Sequence, residues 1–182
     1  SEFPNNIYST YGMTETLSHI ALRKLNSKET SGYYVPFPSV KLSVSKEGTL
    51  VIDAPLVCDN ILYTNDIVEL LPDGRFKILG RKDNVINSGG IKIQTEILEE
   101  KISSFLKSGF AITSVPDNKF GEAIVLLSED EIDTETFNEY LPKQEIPKYI
   151  LKVDKRPLTV SNKIDRAKCK TLALQLIKSA PN

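Results

Sequence analysis

From Val40 to Ile52 the residues VKLSVSKEGTLVI alternate between apolar and polar around a Lys-Glu-Gly turn, which predicts a β-hairpin with one buried face. A second pair of strand-like runs follows, with ILYT and DIVELL before the turn Pro72-Asp73-Gly74 and RFKIL after it. Proline presets φ at such a turn. Residues 40 to 79 therefore read as a small antiparallel β unit. Past Gly90 the period lengthens. In TEILEEKISSFLK the apolar residues Ile97, Leu98, Ile102, Phe105 and Leu106 recur at helical spacing, acids come early and Lys late, and Thr95 stands at the N-cap position. FAITSVP and EAIVLLS read as strands separated by the polar DNKFG, DTETFNEYL as a helix begun near Asp133 or Thr134, and YILKV as another strand. A helix from about Asp165 to Lys178 closes the pattern.

This order predicts an α+β fold. An antiparallel β unit, residues 1–82, forms the end of a larger N-terminal domain, and a small mixed α+β C-terminal domain follows over residues 83–182. Residues 1–25 have motif character but no upstream partner strand, so the chain is expected to begin inside a larger fold.

Composition removes several function classes. The chain's 23 Lys plus Arg against 24 Asp plus Glu, with no long block of one sign, argue against a broad nucleic-acid-binding face. Cys58 and Cys169 fit no metal-ligand spacing, and neither a secretory h-region nor a long apolar span is present, so the expected setting is reducing and cytoplasmic, without a membrane span. His19, beside Ile20 and Ala21, reads as packed or hydrogen-bonded before it reads as catalytic.

Several polar clusters are candidates for chemistry. In YGMTET, Gly12 lets a ligand approach the backbone, Thr14 and Thr16 offer hydroxyls to phosphate oxygens, and Glu15 offers a hard oxygen suited to Mg²⁺. A helix start capped by Thr14 is the plainer alternative. Asp66, after Asn65 at the end of an apolar segment, is placed to accept hydrogen bonds from sugar hydroxyls or to form an Asn-Asp turn. Arg81, Lys82 and Asp83 form either a functional joint or a solvated charge cluster. Gly89-Gly90 marks a hairpin turn or a close approach to a narrow ligand. Lys163, after a Ser-Asn turn and before a helix, is either a surface lysine or a phosphate ligand.

Taken in order, YGMTET, YTND…LPDGRFKILGRKD and PLTVSNKIDR resemble three motifs of the adenylate-forming superfamily of acyl-CoA synthetases, nonribosomal peptide synthetase adenylation domains and luciferases. The resemblance implies that residues 1–82 are the end of the large AMP-binding domain and residues 83–182 the small mobile domain. It also implies the substrates ATP and CoA, a carboxylic acid, and Mg²⁺. Carried over residue by residue, Tyr11 packs on adenine, Gly12 borders the acyl pocket, Met13 belongs to the same nucleotide-binding segment, Thr14 contacts the AMP phosphate and Glu15 holds Mg²⁺. Asp66 binds the ribose hydroxyls with help from Arg81. Asp83 is the hinge, Lys163 bridges carboxylate and α-phosphate, and Gly89 and Gly90 line the CoA tunnel.

Within the superfamily, YGMTETLSHIALRKL and KDNVINSGGIKI are similar to the o-succinylbenzoate–CoA ligases of menaquinone synthesis. A carrier-protein-loading adenylation domain and a non-catalytic binding module of the same fold are the alternatives. Asn65 and Asn162 stand where the family usually has Gly, and Asn is the residue that best replaces Gly at left-handed backbone angles. Lys92 stands where Arg is common, and Asn87 where Lys is common. The sequence contains no Ser/Thr/Gly-rich phosphate loop followed by Lys, so these residues alone are expected to be inactive in adenylation.

Overall fold

A computed structural model describes residues 5–26 and 32–179. The chain divides into two compact units whose boundary falls between Asp83 and Asn84.

The first unit is built from two antiparallel sheets. Strands β1 (Tyr8–Gly12), β2 (His19–Lys24) and β3 (Val35–Pro36) form one, and β4 (Lys41–Val44), β5 (Thr49–Asp53), β6 (Leu62–Leu70) and β7 (Phe76–Arg81) form the other, each in sequence order. The expected buried face is present, with Leu50, Ile52 and Phe76 fully enclosed, but β5 departs from the alternation because Thr49 and Val51 on its other face are buried as well. Burying a side chain such as Phe76 contributes roughly 2–3 kcal/mol.

One expectation about this unit changes. ILYT and DIVELL belong to the single strand β6, bent by an irregularity between Ile67 and Val68. Asn65 and Asp66 are therefore strand residues rather than a turn, and Asn65 has no positive φ, whereas Asn162 does, at 62°. Of the two Asn-for-Gly replacements, only Asn162 uses left-handed tolerance.

In the second unit, β8 (Val85–Ser88) and β9 (Ile91–Gln94) form a hairpin, followed by α1 (Thr95–Phe105), β10 (Phe110–Asp117) and β11 (Gly121–Ser128). A short α2 (Glu135–Asn138), β12 (Tyr149–Lys152) and α3 (Arg166–Ser179) complete it. The sheet runs β10-β11-β8-β9, with β12 parallel on β11. Successive residues of β10 and β11 point to opposite faces. Ile112, Ile124 and Leu126 pack with Leu98 and Ile102 of α1, while Ala111, Val125 and Leu127 pack with Cys169 and Ala173 of α3. Both faces are covered, which is why FAITSVP and EAIVLLS read as almost unbroken apolar runs.

Thr95 does not cap α1. Gln94 is the N-cap, and the Thr95 hydroxyl donates a short hydrogen bond to the Asn84 carbonyl instead. Burial pushes the Cys169 thiol up to about 11, leaving it inert at neutral pH. Among the described residues no helix is long and apolar enough to cross a membrane.

Candidate functional site

The first unit brings four of the expected residues into one hydrogen-bonded line. Asp66 and Arg81 stand directly opposite each other on β6 and β7, and Arg81 Nη1 donates to Asp66 Oδ1 at 3.2 Å. The Tyr11 hydroxyl donates to Asp66 Oδ2 at 2.6 Å, and the Asp66 N–H donates to Thr64 Oγ1 at 3.1 Å. Arg81 Nη2 continues to Asp83 Oδ2 at 3.3 Å, which also accepts from Asn65 Nδ2 at 3.1 Å. The Asp66 side chain is 13% exposed, so its carboxylate is fixed in direction while an edge stays open to solvent.

Tyr11 is placed differently from the adenine-packing role that the resemblance implies. Its ring centroid lies 5.2 Å from Phe76 and 5.8 Å from Tyr34, and only 7% of the residue is exposed. Burial, then the hydrogen bond to Asp66, pushes its pKa far above the ordinary tyrosine range, so it remains a donor to Asp66.

After Tyr11 the chain bends through a 3-10 turn, Thr14–Thr16, begun at Met13 rather than capped by Thr14. Thr16 is fully buried, and its hydroxyl accepts from Met13 N–H at 3.1 Å and lies 2.6 Å from the Ser18 carbonyl, so it is not free for a phosphate. Thr14 and Glu15 are exposed. Met13 packs on the core of the unit. Gly12 is required internally, because a Cβ there would stand 2.4 Å from the Ser18 carbonyl oxygen. Gly12, Met13, Thr14 and the exposed His19 line one open recess.

Among the described residues no cluster of three acidic, His or Cys side chains could hold a metal. Glu15 is one isolated carboxylate. That donor set fits Mg²⁺, which is commonly held by one or two carboxylates with substrate phosphates and water supplying the rest.

In the second unit, Gly89 and Gly90 are the two-residue loop of the β8–β9 hairpin, at φ 58° and 82°. Two successive positive φ values are the requirement of a type I′ turn. Gly89 N–H donates to the Phe120 carbonyl at 2.8 Å, which ties the tip to β11. Lys163 lies in a separate loop closed by the Leu158–Ile164 bridge, with Thr159 N–H donating to the Lys163 carbonyl at 2.7 Å. Its side chain is exposed, and its ammonium has no partner among the described residues.

Glu122 was not legible as a site residue. Its carboxylate accepts from Asn87 N–H at 2.9 Å and from Ser114 Oγ at 2.7 Å, with Lys170 Nζ 3.5 Å away, so it orients the strand leading to Gly89. The only signal in the sequence is an acid beginning an otherwise apolar strand. Burial alone would raise its pKa, but these hydrogen bonds and the ammonium outweigh burial and hold it below the usual carboxylate range. Because the folded pKa is depressed, its contribution is present above the unfolded value of about 4.3 and is lost as pH falls through the folded value. Amide exchange at Asn87, corrected for intrinsic rate, should therefore accelerate relative to the unit's core as pH drops below the usual carboxylate range. In Glu122→Gln that pH-dependent step should disappear.

No protein-family model matches the chain. It is 28% identical over 185 residues to the 2-succinylbenzoate–CoA ligase of Lactococcus lactis subsp. lactis, an alignment covering 90% of this chain and 41% of that protein. Gramicidin S synthase 1 of Brevibacillus brevis is 32% identical over 123 residues, covering 63% of this chain and 11% of that one. Among solved structures, the o-succinylbenzoate coenzyme A synthetase of Bacillus subtilis in complex with ATP and magnesium matches with TM-score 0.74 and 22% identity, covering 90% and 41% of the two chains. ATP-bound MatB from Rhodopseudomonas palustris matches with TM-score 0.78 and 19% identity, covering 93% and 41%. The chain thus spans about two fifths of the length of the ligases that it matches along most of its own. Along most of its length, through both units, the chain is similar in sequence to 2-succinylbenzoate–CoA ligases, and it shares the fold of the o-succinylbenzoate coenzyme A synthetase.

Proposed function

We propose that these residues serve as the C-terminal portion of an ATP-dependent acid–CoA ligase, with o-succinylbenzoate as the acid. The observation that carries this reading is Asp66, a carboxylate held by Tyr11 at 2.6 Å and Arg81 at 3.2 Å, with Arg81 continuing to Asp83 at the junction of the two units. Such a carboxylate accepts paired hydrogen bonds from the vicinal hydroxyls of a ribose.

In the first step a carboxylate oxygen attacks the α-phosphorus of ATP, and the bond to pyrophosphate breaks. In the second the CoA thiol, losing its proton to solvent, attacks the acyl carbon and expels AMP. Thr14 offers a hydroxyl to the α-phosphate, and Glu15 offers one oxygen to Mg²⁺, which when bound offsets charge on the phosphates. Tyr11 orients Asp66 instead of covering the base. Lys163 bridges two anions that otherwise repel each other, which is worth most when water is excluded. The second step has no use for that ammonium. Rotation about Asp83 would withdraw Lys163 and bring in the Gly89-Gly90 turn, whose lack of side chains leaves room for a pantetheine arm.

The test is product identity. The complete ligase containing these residues, given ATP, Mg²⁺, o-succinylbenzoate and CoA, should yield AMP and the CoA thioester. Acylation of a carrier protein but not of CoA would favour the relation to gramicidin S synthase 1, and ligand binding without ATP cleavage would favour a binding module.

A further inference from the structure

The first turn of α3 is an unfavourable place for a cation, because a helix N-terminus carries partial positive charge. Beside the adjacent Asp165, whose carboxylate takes the Lys168 N–H and ammonium at 3.1 Å each, Arg166 nevertheless stands there. Its partners lie elsewhere in the unit. Nη1 and Nη2 each donate to the Glu99 carboxylate of α1 at 2.7 Å, and Nη1 donates also to the Ile112 carbonyl at 3.1 Å. Glu99 Oε1 in turn accepts the Ile112 N–H at 2.9 Å. Among the described strands β10 pairs only with β11, so Glu99 and Arg166 together satisfy the N–H and C=O that this edge would leave open.

The network continues toward the junction. Arg166 Nη2 lies 3.9 Å from Glu96 Oε1, which accepts a short hydrogen bond from the Asn84 side chain. Glu96 Oε2 is buried with no hydrogen-bond partner among the described residues, so the guanidinium nearby is the charge that offsets it. Asn84 is held a second time through its carbonyl, by Thr95. The loop of Lys163 has anchors of its own, with Asp165 N–H donating to the Pro157 carbonyl at 3.0 Å and Ile164 packed on the core beneath α3, and the Arg166 clamp adds to them a link that runs to Asn84.

We propose that Arg166 is the positioning residue for Lys163: by clamping the start of α3 to Glu99, the Ile112 carbonyl and, through Glu96, Asn84, it makes the lysine loop continuous with the pivot. This rests on the ligase reading above. The clamp requires an Arg, because two parallel donors to one carboxylate fix orientation as well as distance, whereas a lysine supplies a point charge. A rotation at Asp83 then carries the ammonium to a defined position.

The experiment compares Arg166→Lys, Arg166→Ala, Glu99→Gln and Lys163→Ala in the complete ligase, measuring acyl-adenylate formation from ATP separately from thioester formation from supplied acyl-adenylate. Loss of alignment should lower kcat for adenylate formation on the order of 10-fold in Arg166→Lys and 100-fold in Arg166→Ala. KM for ATP and thioester formation should stay within about two- to threefold of wild type, as expected when ground-state binding is retained. Placing Arg166→Ala in a Lys163→Ala background should cost little further adenylation, since the clamp acts through the lysine. Equal loss of both half-reactions, or an undiminished effect of Arg166→Ala in the Lys163→Ala background, would overturn the proposal and reduce Arg166 to a scaffold residue. If Arg166→Ala fails to fold, Arg166→Lys and Glu99→Gln decide by the same split. Undiminished adenylation in Lys163→Ala would overturn the role of Lys163 and this inference with it, whereas absence of adenylation in the wild-type ligase would overturn the ligase reading itself.

Discussion

Lys163→Ala should lower acyl-adenylate formation by a factor on the order of 10² or more, while supplied acyl-adenylate is still converted to thioester at close to the wild-type rate. The asymmetry follows from charge. Joining a carboxylate to a triphosphate brings two anions together, and the exposed Lys163 ammonium, unpartnered among the described residues, is the second unit's candidate to lie between them. Attack of a thiol on an acyl-adenylate involves no such encounter. Removing a partner-free surface ammonium also leaves nothing unsatisfied behind, so the unfolding midpoint of the second unit should not move. A rapid-quench measurement of each half-reaction checks the split. Equal losses would contradict the restriction of Lys163 to the adenylation step.

The second large effect is expected at Asp66. Asp66→Ala removes the acceptor proposed for the ribose hydroxyls, and hydrogen bonds to a charged group are worth about 1.5–3 kcal/mol, so the KM for ATP should rise on the order of 10- to 100-fold. The same change strands the buried Tyr11 hydroxyl, which has no other acceptor than Asp66 among the described hydrogen bonds. Leaving such a donor unsatisfied costs about 1–3 kcal/mol, measurable by urea unfolding of the first unit. Adding Tyr11→Phe should recover much of that stability, because deleting both partners removes the unpaired group. ATP binding should not recover. Recovery of both, or of neither, would contradict the division of labour in which Asp66 meets the nucleotide and Tyr11 orients Asp66.

The sequence was most legible where one period governs a whole element. The two-residue alternation of VKLSVSKEGTLVI became the β4–β5 hairpin, and the helical spacing of TEILEEKISSF became α1. Gly89-Gly90 declared a turn through its chemistry, and two positive φ values are what the hairpin uses. Side-chain hydrogen bonding was much less legible. Thr95 looks like a cap, yet its hydroxyl serves Asn84, because the preceding Gln94 already takes the cap position. Thr16 looks available to a phosphate but is buried and used within its own turn. Asn65-Asp66 reads as a turn locally, but pairing with β5 and β7 extends the strand through it. Arg166, Glu99 and Glu122 find their partners across the fold, and no spacing along the chain announces such pairs. The one local sign is Arg166 itself, a cation where the helix dipole disfavours one.

If the polypeptide containing these residues activates a carboxylic acid as its adenylate, that step must also run in reverse when no thiol is present. Exchange of labelled pyrophosphate into ATP, with Mg²⁺ present and every thiol omitted, measures this reversal. The prediction is exchange that depends on added o-succinylbenzoate and is lost in Lys163→Ala. Exchange independent of the acid, or cleavage of ATP to ADP and phosphate in its place, would contradict it.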